Sequence, residues 1–411
     1  MTSRIVFLGF CQTDEDFDAI LRRDRAMPVQ TQRFGWSVVS AIESAGGQVS
    51  ILAAAPVSDW PGNKAFFLGG TRDGRQADGT RRTHRLIGFV NIIGLKHLTR
   101  YVGALRGLKR MIRSEPVTAI LVHGVHSPFL HAAVRVGRAS GVPVVPILTD
   151  APSDPTLSGH AVVRALRMRD VQLISSALEQ ADGVIALTES LAHDYAPGRP
   201  FLLLVGIAPT IAPAEEVPAG TVRRVIYAGG LSATYGVDLL LDAVNESHGD
   251  WVLEIFGKGE LEDDIREAAS ANPRVVYGGV VSPAELGGIY ARADLLVNPR
   301  PPDQELVRYS FPSKLLEYMA VGRPVLSTHL PTIPTDFDPH LIYTEAEASA
   351  IAANIDEFMM RSPASRSALG RSCREFVLEH YGPKAQGENI MHFVSGLDAA
   401  RGSTGDAERE S

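Results

Sequence analysis

Short apolar runs closing on glycine or a polar residue alternate with stretches of helical periodicity along nearly the whole chain. Residues 4–10, 49–55, 118–123, 142–148, 182–188 and 201–205 are such runs in the first half. Residues 225–228, 251–256, 274–278 and 294–298 repeat the pattern in the second. A continuous apolar run of this length reads as a strand buried on both faces, and a helix between two runs returns the chain to begin a parallel neighbour. The alternation therefore commits the chain to parallel sheets covered by helices. It pauses at 209–221, where three prolines among small residues read as a linker. The expected fold class is α/β, with two Rossmann-like domains facing across a cleft. The expected domains are 1–208 and 222–375, with helices over 376–398 returning toward the N-terminal domain and a disordered tail at 399–411. A chain of 411 residues is long enough for two such domains.

Composition narrows the function classes. Hydrophobic residues make up 45% and charged residues 21%, which suits a globular protein with a large core. The net charge of −7 argues against a dedicated nucleic-acid binder. Cys11 and Cys373 are the only cysteines, so neither a disulfide framework nor a cysteine metal site is expected, and a reducing cytoplasm fits. The apolar run at the N-terminus is short and reads as a first strand rather than a secretory signal. No run approaches the roughly 18–20 apolar residues of a membrane span.

One stretch, 309–326, carries the chemistry. Pro312 suits a first helical turn, Leu315, Leu316 and Met319 face a core, and Gly322 ends the helix. Ser310, Ser313 and Lys314 then cluster at a helix N-terminus, where free N–H groups and the dipole favour an anion. Glu317 lies one turn further in. A phosphate on the N–H groups and a ribose on the carboxylate would suit a sugar nucleotide; an ordinary capped helix is the alternative. In the first half, His123, His126 and Asp150 fall at the carboxyl ends of expected strands, where open α/β sheets bind ligands. Neither first strand is followed by G-x-G-x-x-G, which disfavours a dinucleotide. Residues 81–113 carry nine basic side chains and no acidic one, interleaved with apolar residues. Such a segment suits either an anionic membrane surface or a helix packed on the sheet with a solvated outer face.

The second half resembles the nucleotide-sugar-binding half of retaining GT-B glycosyltransferases, the large family-4 group. The resemblance rests on Tyr227-Ala-Gly-Gly-Leu with Tyr235-Gly-Val-Asp-Leu-Leu240, on Ile255-Phe-Gly-Lys-Gly-Glu260, on Gly279-Val-Val-Ser-Pro-Ala-Glu-Leu286, and on Asn298-Pro-Arg with Tyr309-Ser-Phe-Pro-Ser-Lys-Leu-Leu-Glu317. These blocks run in order over about 100 residues. The first half is similar more loosely, through the His126-Ser-Pro block and the Asp150-Ala-Pro turn. The departures matter. Where the family carries an arginine and a lysine on the donor diphosphate, this chain has Gly230 and Tyr235. Where it carries the first glutamate of its Glu-x7-Glu motif, this chain has Tyr309, and only Glu317 is kept. That pattern resembles a sub-group with a Tyr-Ser-Phe-Pro-Ser-Lys variant of the motif.

The resemblance implies transfer of a sugar from a nucleotide-diphosphate donor to a glycan, glycolipid or other acceptor, with retention of configuration. It implies no cofactor and no metal ion. His126 would position the sugar or its transition state, with Lys314 and Glu317 completing the catalytic set. Gly229, Gly230, Phe256, Gly257, Val280, Val281, Arg300, Tyr309, Ser310, Phe311, Ser313, Lys314 and Glu317 would bind the donor, and Asp150 the acceptor. Arg300 and Lys314 are the candidates to replace the missing diphosphate cations. A charge-assisted contact is worth roughly 1.5–3 kcal/mol, so losing two unreplaced would weaken donor binding on the order of 100-fold or more. The expected location is the cytoplasm or the inner face of the membrane, with membrane contact through 81–113. Two other readings stay open: a non-catalytic sugar-nucleotide or partner-binding protein, and a sugar-nucleotide 2-epimerase.

Overall fold

The computed structural model describes residues 4–21, 24, 29–70, 83–152, 161–214, 222–303 and 305–407. The chain forms two compact units, one of Met1–Ile207 with Pro383–Ser411 and one of Ala208–Gly382.

In unit 1 the order is β1 (Arg4–Gly9), α1 (Asp14–Leu21), α2 (Val29–Ser44), β2 (Gln48–Ala53), β3 (Phe67–Leu68), β4 (His84–Leu86), β5 (Phe89–Val90), α3 (Leu95–Ser114), β6 (Ala119–His123), α4 (Ser127–Ser140), β7 (Val144–Leu148), α5 (Ala161–Leu178), β8 (Val184–Ala186), α6 (Glu189–Tyr195) and β9 (Phe201–Leu203). The sheet order is β4-β2-β1-β6-β7-β8-β9, all parallel. Unit 2 continues with β10 (Arg223–Gly230), α7 (Val237–Glu246), β11 (Trp251–Lys258), α8 (Glu262–Ala271), β12 (Val275–Gly279), α9 (Pro283–Ala291), β13 (Leu295–Asn298), α10 (Lys314–Val321), β14 (Val325–Thr328), β15 (Ile342–Thr344), α11 (Ala348–Met359) and α12 (Pro363–Tyr381). Its parallel sheet runs β12-β11-β10-β13-β14-β15. Both sheets therefore reverse direction beside their first strand, at β1/β6 and at β10/β13. Such a reversal opens a crevice beyond the carboxyl ends of the strands.

The central strands are buried on both faces, as their unbroken apolar runs dictate, whereas the edge strands β9 and β12 are partly exposed. Phe7, Ile51, Leu121 and Ile147 pack with Val38 and Ile42 of α2 in unit 1. Val225, Leu253, Ile255 and Leu295 pack with Leu240 of α7 and Ile355 of α11 in unit 2. The last helix, α13 (Pro383–Ala407), places Ile390, Val394 and Leu397 in the core of unit 1. It lies so close to α2 that a Cβ on Gly387 would collide with the Ala41 carbonyl.

Several local features differ from the sequence reading. The changeover to the last helix falls at Gly382–Pro383 rather than at 376, because α12 runs on to Tyr381 and a proline cannot continue it. Helix α13 also extends to Ala407, into the stretch expected as a disordered tail. The polar segment after β1 contains α1, which the apolar runs did not mark. The basic segment is not one amphipathic stretch: β4 joins the sheet edge and β5 pairs with β3 before α3 begins. On α3, Lys96 and Arg100 are buried, whereas Arg106, Lys109, Arg110 and Arg113 are exposed. Arg81 and Arg82 lie outside the described residues, as does 215–221 of the expected linker.

Candidate functional site

In unit 2 the carboxyl edge of the sheet is made almost entirely of backbone. Gly229 and Gly230 end β10, Gly257 lies near the end of β11 and Gly279 ends β12. Gly257 sits at φ 138°, and a Cβ there would collide with the Gly229 carbonyl oxygen. Only glycine allows these two strand ends to approach so closely. Between β10 and β13 the pairing runs over Val225↔Leu295 and Ile226↔Leu296, leaving Ala228 beyond the ladder. Tyr318 of α10 fills the gap: its hydroxyl accepts from Ala228 N–H at 3.1 Å and donates to Ala228 C=O at 3.2 Å. Tyr227 donates to the Gly230 carbonyl at 2.7 Å, and Tyr277 to the Gly257 carbonyl at 2.9 Å. Tyrosine hydroxyls thus fix the glycine-rich edge from below.

The side chains expected at the helix N-terminus are assembled on this edge. Lys314 donates to Glu317 Oε2 at 3.0 Å and to the Tyr290 hydroxyl at 3.1 Å, and Tyr290 donates to Glu317 Oε2 at 3.2 Å. The triangle leaves Lys314 and Glu317 about one-third exposed. Tyr290 is buried, and burial first, then Tyr318 and Glu317, push its hydroxyl well above the usual tyrosine range. Tyr290 is therefore a neutral donor that orients the carboxylate. Ser313 is the N-cap of α10, and its side chain makes no capping bond.

Arg300 follows β13 at the reversal point and is 6% exposed. Its Nη1 reaches Ser310 Oγ at 3.3 Å, its guanidinium lies 5.5 Å from the centre of the Tyr235 ring, and its Nε has no hydrogen-bond partner. The Tyr235 ring in turn covers Gly230: a Cβ there would stand 2.7 Å from it. So the two positions where the resemblance implied cations hold a glycine and the tyrosine that packs on it, and a buried arginine from another strand end stands against that tyrosine.

The remaining expected residues are less convergent. Phe256 and Phe311 are buried, the latter 5.9 Å from the Phe337 ring. Phe256 packs under Arg292, whose guanidinium is 5.5 Å away. Tyr309 is half-buried under Arg308. Val280 is exposed and Val281 half-buried after the left-handed turn at Gly279.

His126 and Asp150 belong to unit 1. There a cavity of about 930 Å³ opens at the reversal point, among Phe10, Val57, Arg100, Val125, Asp150 and Asp170. Asp150 is exposed and accepts from Thr149 Oγ1 at 2.9 Å. The His126 ring stacks among Phe10, Phe129 and His97, with centroids 5.4, 4.7 and 5.2 Å away. Burial first, then Arg100, His97 and Lys96, hold its imidazole well below the usual histidine range. It is neutral near pH 7, and its Nε2 faces Arg100 Nη1 at 3.5 Å. His123 is fully buried between Phe7 and Phe34, with neither ring nitrogen hydrogen-bonded, and burial pulls it down to about 4.

Sequence reasoning missed Tyr290, Tyr318 and Arg100. Tyr290 and Lys314 share no spacing or motif, and α9 and α10 meet only in three dimensions. Arg100 looked like one more member of a basic run. Its one local signal is spacing: Lys96, Arg100, Ala104, Leu108 and Met111 are the buried positions of α3, three or four residues apart.

Residues 222–360 match the family model described as "Glycosyl transferases group 1". No curated protein sequence matches the chain significantly. Among solved structures, sucrose-phosphate synthase from Thermosynechococcus elongatus is 14% identical, with a TM-score of 0.62 over 97% of this chain and 100% of that one. The lipopolysaccharide outer core galactosyltransferase WaaB is 14% identical, with a TM-score of 0.57 over 96% and 99%. Anabaena HepE in complex with UDP is 13% identical, with a TM-score of 0.58 over 96% and 100%. The chain thus has the two-domain α/β fold of GT-B glycosyltransferase structures, and its second unit carries the match to the glycosyl transferases group 1 family.

Proposed function

We propose that the protein transfers a sugar from a nucleotide-diphosphate sugar to an acceptor with retention of configuration, unit 2 holding the donor and unit 1 the acceptor. The observation that carries this reading is Arg300. Arg300 is 6% exposed, its Nε has no hydrogen-bond partner, its Nη1 reaches Ser310 Oγ and its guanidinium lies over the Tyr235 ring that covers Gly230, so it is a buried charge suited to an anion. Arg300, Lys314 and the N-terminal end of α10 take the diphosphate, Glu317 the ribose hydroxyls, and the backbone around Val280 and Val281 the base. That one neighbour was solved with UDP supports the donor class. As the C1–O bond to phosphate breaks, the leaving oxygen receives the acceptor's proton on the same face, while the acceptor oxygen bonds C1. The protein stabilises the departing diphosphate electrostatically. Neutral His126 positions the sugar as a hydrogen-bond partner, and Asp150 the acceptor. With two side-chain cations on the phosphates, the transfer needs no divalent ion.

The test is donor turnover over a panel of UDP-, GDP- and dTDP-sugars, with and without chelator. Transfer or slow hydrolysis is expected, at equal rates in both conditions, and at least 10-fold slower in Glu317→Ala. Binding without turnover would favour a non-catalytic module, and inversion at C2 an epimerase.

A surface of unit 1 supports an acceptor at a membrane. Trp60, Phe66, Phe67, Ile93, Leu95 and Leu98 are all exposed. The Trp60 and Phe66 rings meet at 6.3 Å, and Phe67 pairs with Val90, three residues before Ile93. Further along α3 lie exposed Arg106, Lys109, Arg110 and Arg113. Aromatic side chains for the interface beside cations for anionic headgroups make a peripheral docking surface. No helix among the described residues is long and apolar enough to cross a membrane. Sedimentation with phosphatidylglycerol vesicles at low salt should carry the protein down, and high salt should release most of it; no sedimentation at low salt defeats the idea.

A further inference from the structure

The cavity of unit 1 contains a second buried cation. Arg100 lines it and is 4% exposed. Its guanidinium lies 4.3 Å from the Phe89 ring centre and 5.4 Å from that of Phe10. Nη2 donates to the Ala55 carbonyl at 2.6 Å, Nη1 faces neutral His126, and Nε has no partner. The neighbouring cation, Lys96, has a carboxylate of its own, Asp59, at 2.7 Å. No carboxylate pairs with Arg100 among the described residues. A buried guanidinium compensated only by rings and one carbonyl is an unusual expense for a domain that needs it merely to hold a loop. The same lining carries Arg167, exposed, and two carboxylates, Asp150 and Asp170, the second accepting from Ser127 Oγ.

We propose that this cavity is an acceptor subsite that takes an oxyanion, the phosphate or carboxylate of an anionic sugar, on Arg100, with the sugar's hydroxyls turned to Asp150 and Asp170. The proposal rests on reading unit 1 as the acceptor-binding half. It narrows the acceptor from any glycan or glycolipid to one bearing a negative group. The Phe89 and Phe10 rings and the Ala55 carbonyl hold the guanidinium in place in the cavity wall, so it meets the anion already ordered. The carboxylates accept from hydroxyl groups and repel a second anionic group on the same sugar, which favours a monoanionic ring over a polyanion.

The experiment measures binding of glucose, glucose 6-phosphate, glucuronate and inorganic phosphate to the full chain by ligand-observed NMR. Arg100→Met and Ala151→Trp are run alongside, the latter adding bulk to the cavity lining while leaving the Arg100 side chain in the sequence. Either charged sugar should bind at least 10-fold tighter than glucose, and which of the two does so identifies phosphate or carboxylate as the group read. Both variants should lose that preference by 10-fold or more. Equal binding of glucose and both charged sugars overturns the proposal, as does an anion preference that survives in both variants. If Arg100→Met does not fold, the wild-type preference and Ala151→Trp still decide the matter. A nucleoside diphosphate is titrated in parallel. Its binding, with no anion preference, refutes this subsite while leaving the transferase reading intact; failure of nucleotide binding counts against that reading instead.

Discussion

The two reversal points make an instructive pair. Both sheets have the same strand order through six strands, and both open a crevice beside their first strand. They are lined by opposite means. In unit 2 the crevice is edged by Gly229, Gly230, Gly257 and Gly279, with tyrosine hydroxyls bracing the backbone underneath. In unit 1 the first strand runs into Phe10, Cys11 and Gln12, and a cavity of about 930 Å³ is lined by side chains that include Phe10 and the charges of Arg100, Asp150, Arg167 and Asp170. A backbone-lined edge presents the same N–H and C=O groups whatever the sequence, which suits phosphate and ribose. A side-chain-lined cavity differs with every residue, which suits choosing an acceptor. On the proposed function, one fold element used twice would separate what is common to a class of donors from what is particular to this protein.

The contrast predicts a hierarchy of effects. The largest is at Gly257, where alanine meets both a disallowed φ and the Gly229 carbonyl. Gly257→Ala should cost about 3 kcal/mol or more in urea denaturation. Gly124→Ala, just after β6 at the reversal point of unit 1, should cost only about 1 kcal/mol, because φ is 85° but the nearest atoms belong to the Phe10 ring at 3.6 Å. Equal costs would erase the distinction between the two edges.

Next is charge. Arg300→Met should weaken the tightest-binding nucleoside diphosphate by about 10- to 100-fold, and the parent nucleoside much less. Calorimetric titration checks this, and an equal loss for both ligands would remove Arg300 from the phosphate site.

The smallest effect is on pH. Burial depresses His123 to about 4, and His126 in the same direction. Both are neutral in the folded protein, whereas the unfolded chain takes up protons below its ordinary value near 6.5. Their contribution is therefore complete above about pH 6.5 and is lost as pH falls toward 4. From pH 7 to 5, His123 alone should account for about 2 kcal/mol of lost stability. His123→Phe places a ring between Phe7 and Phe34 with no nitrogen to protonate. Denaturation at the two pH values should show a flatter profile in this variant. A slope unchanged from wild type would place the acid sensitivity elsewhere.

Much of this was legible in the chain. Unbroken apolar runs ending in glycine specify buried parallel strands, and their alternation with helices leaves few topologies that connect them without crossing. The glycines at 229, 230, 257 and 279, and the helix that starts at Lys314, are local features that local sequence encodes. The chain also announced its own departure, since Gly230 and Tyr235 stand in the sequence where cations were expected. It did not say what those residues do in place of cations. That Tyr235 covers Gly230 beneath Arg300, and that Tyr290 joins Lys314 to Glu317, depends on elements distant in sequence arriving side by side. Arg100 shows the same limit. In sequence it is one basic residue among nine; burial against Phe10 and Phe89 sets it apart. Periodicity reports which face of an element is buried, and sequence alone therefore determined most of the strands, their parallel arrangement and the helix that starts near Lys314. Only the tertiary structure decided which charges lose their water and lack a partner, because desolvation comes from everything packed around a group.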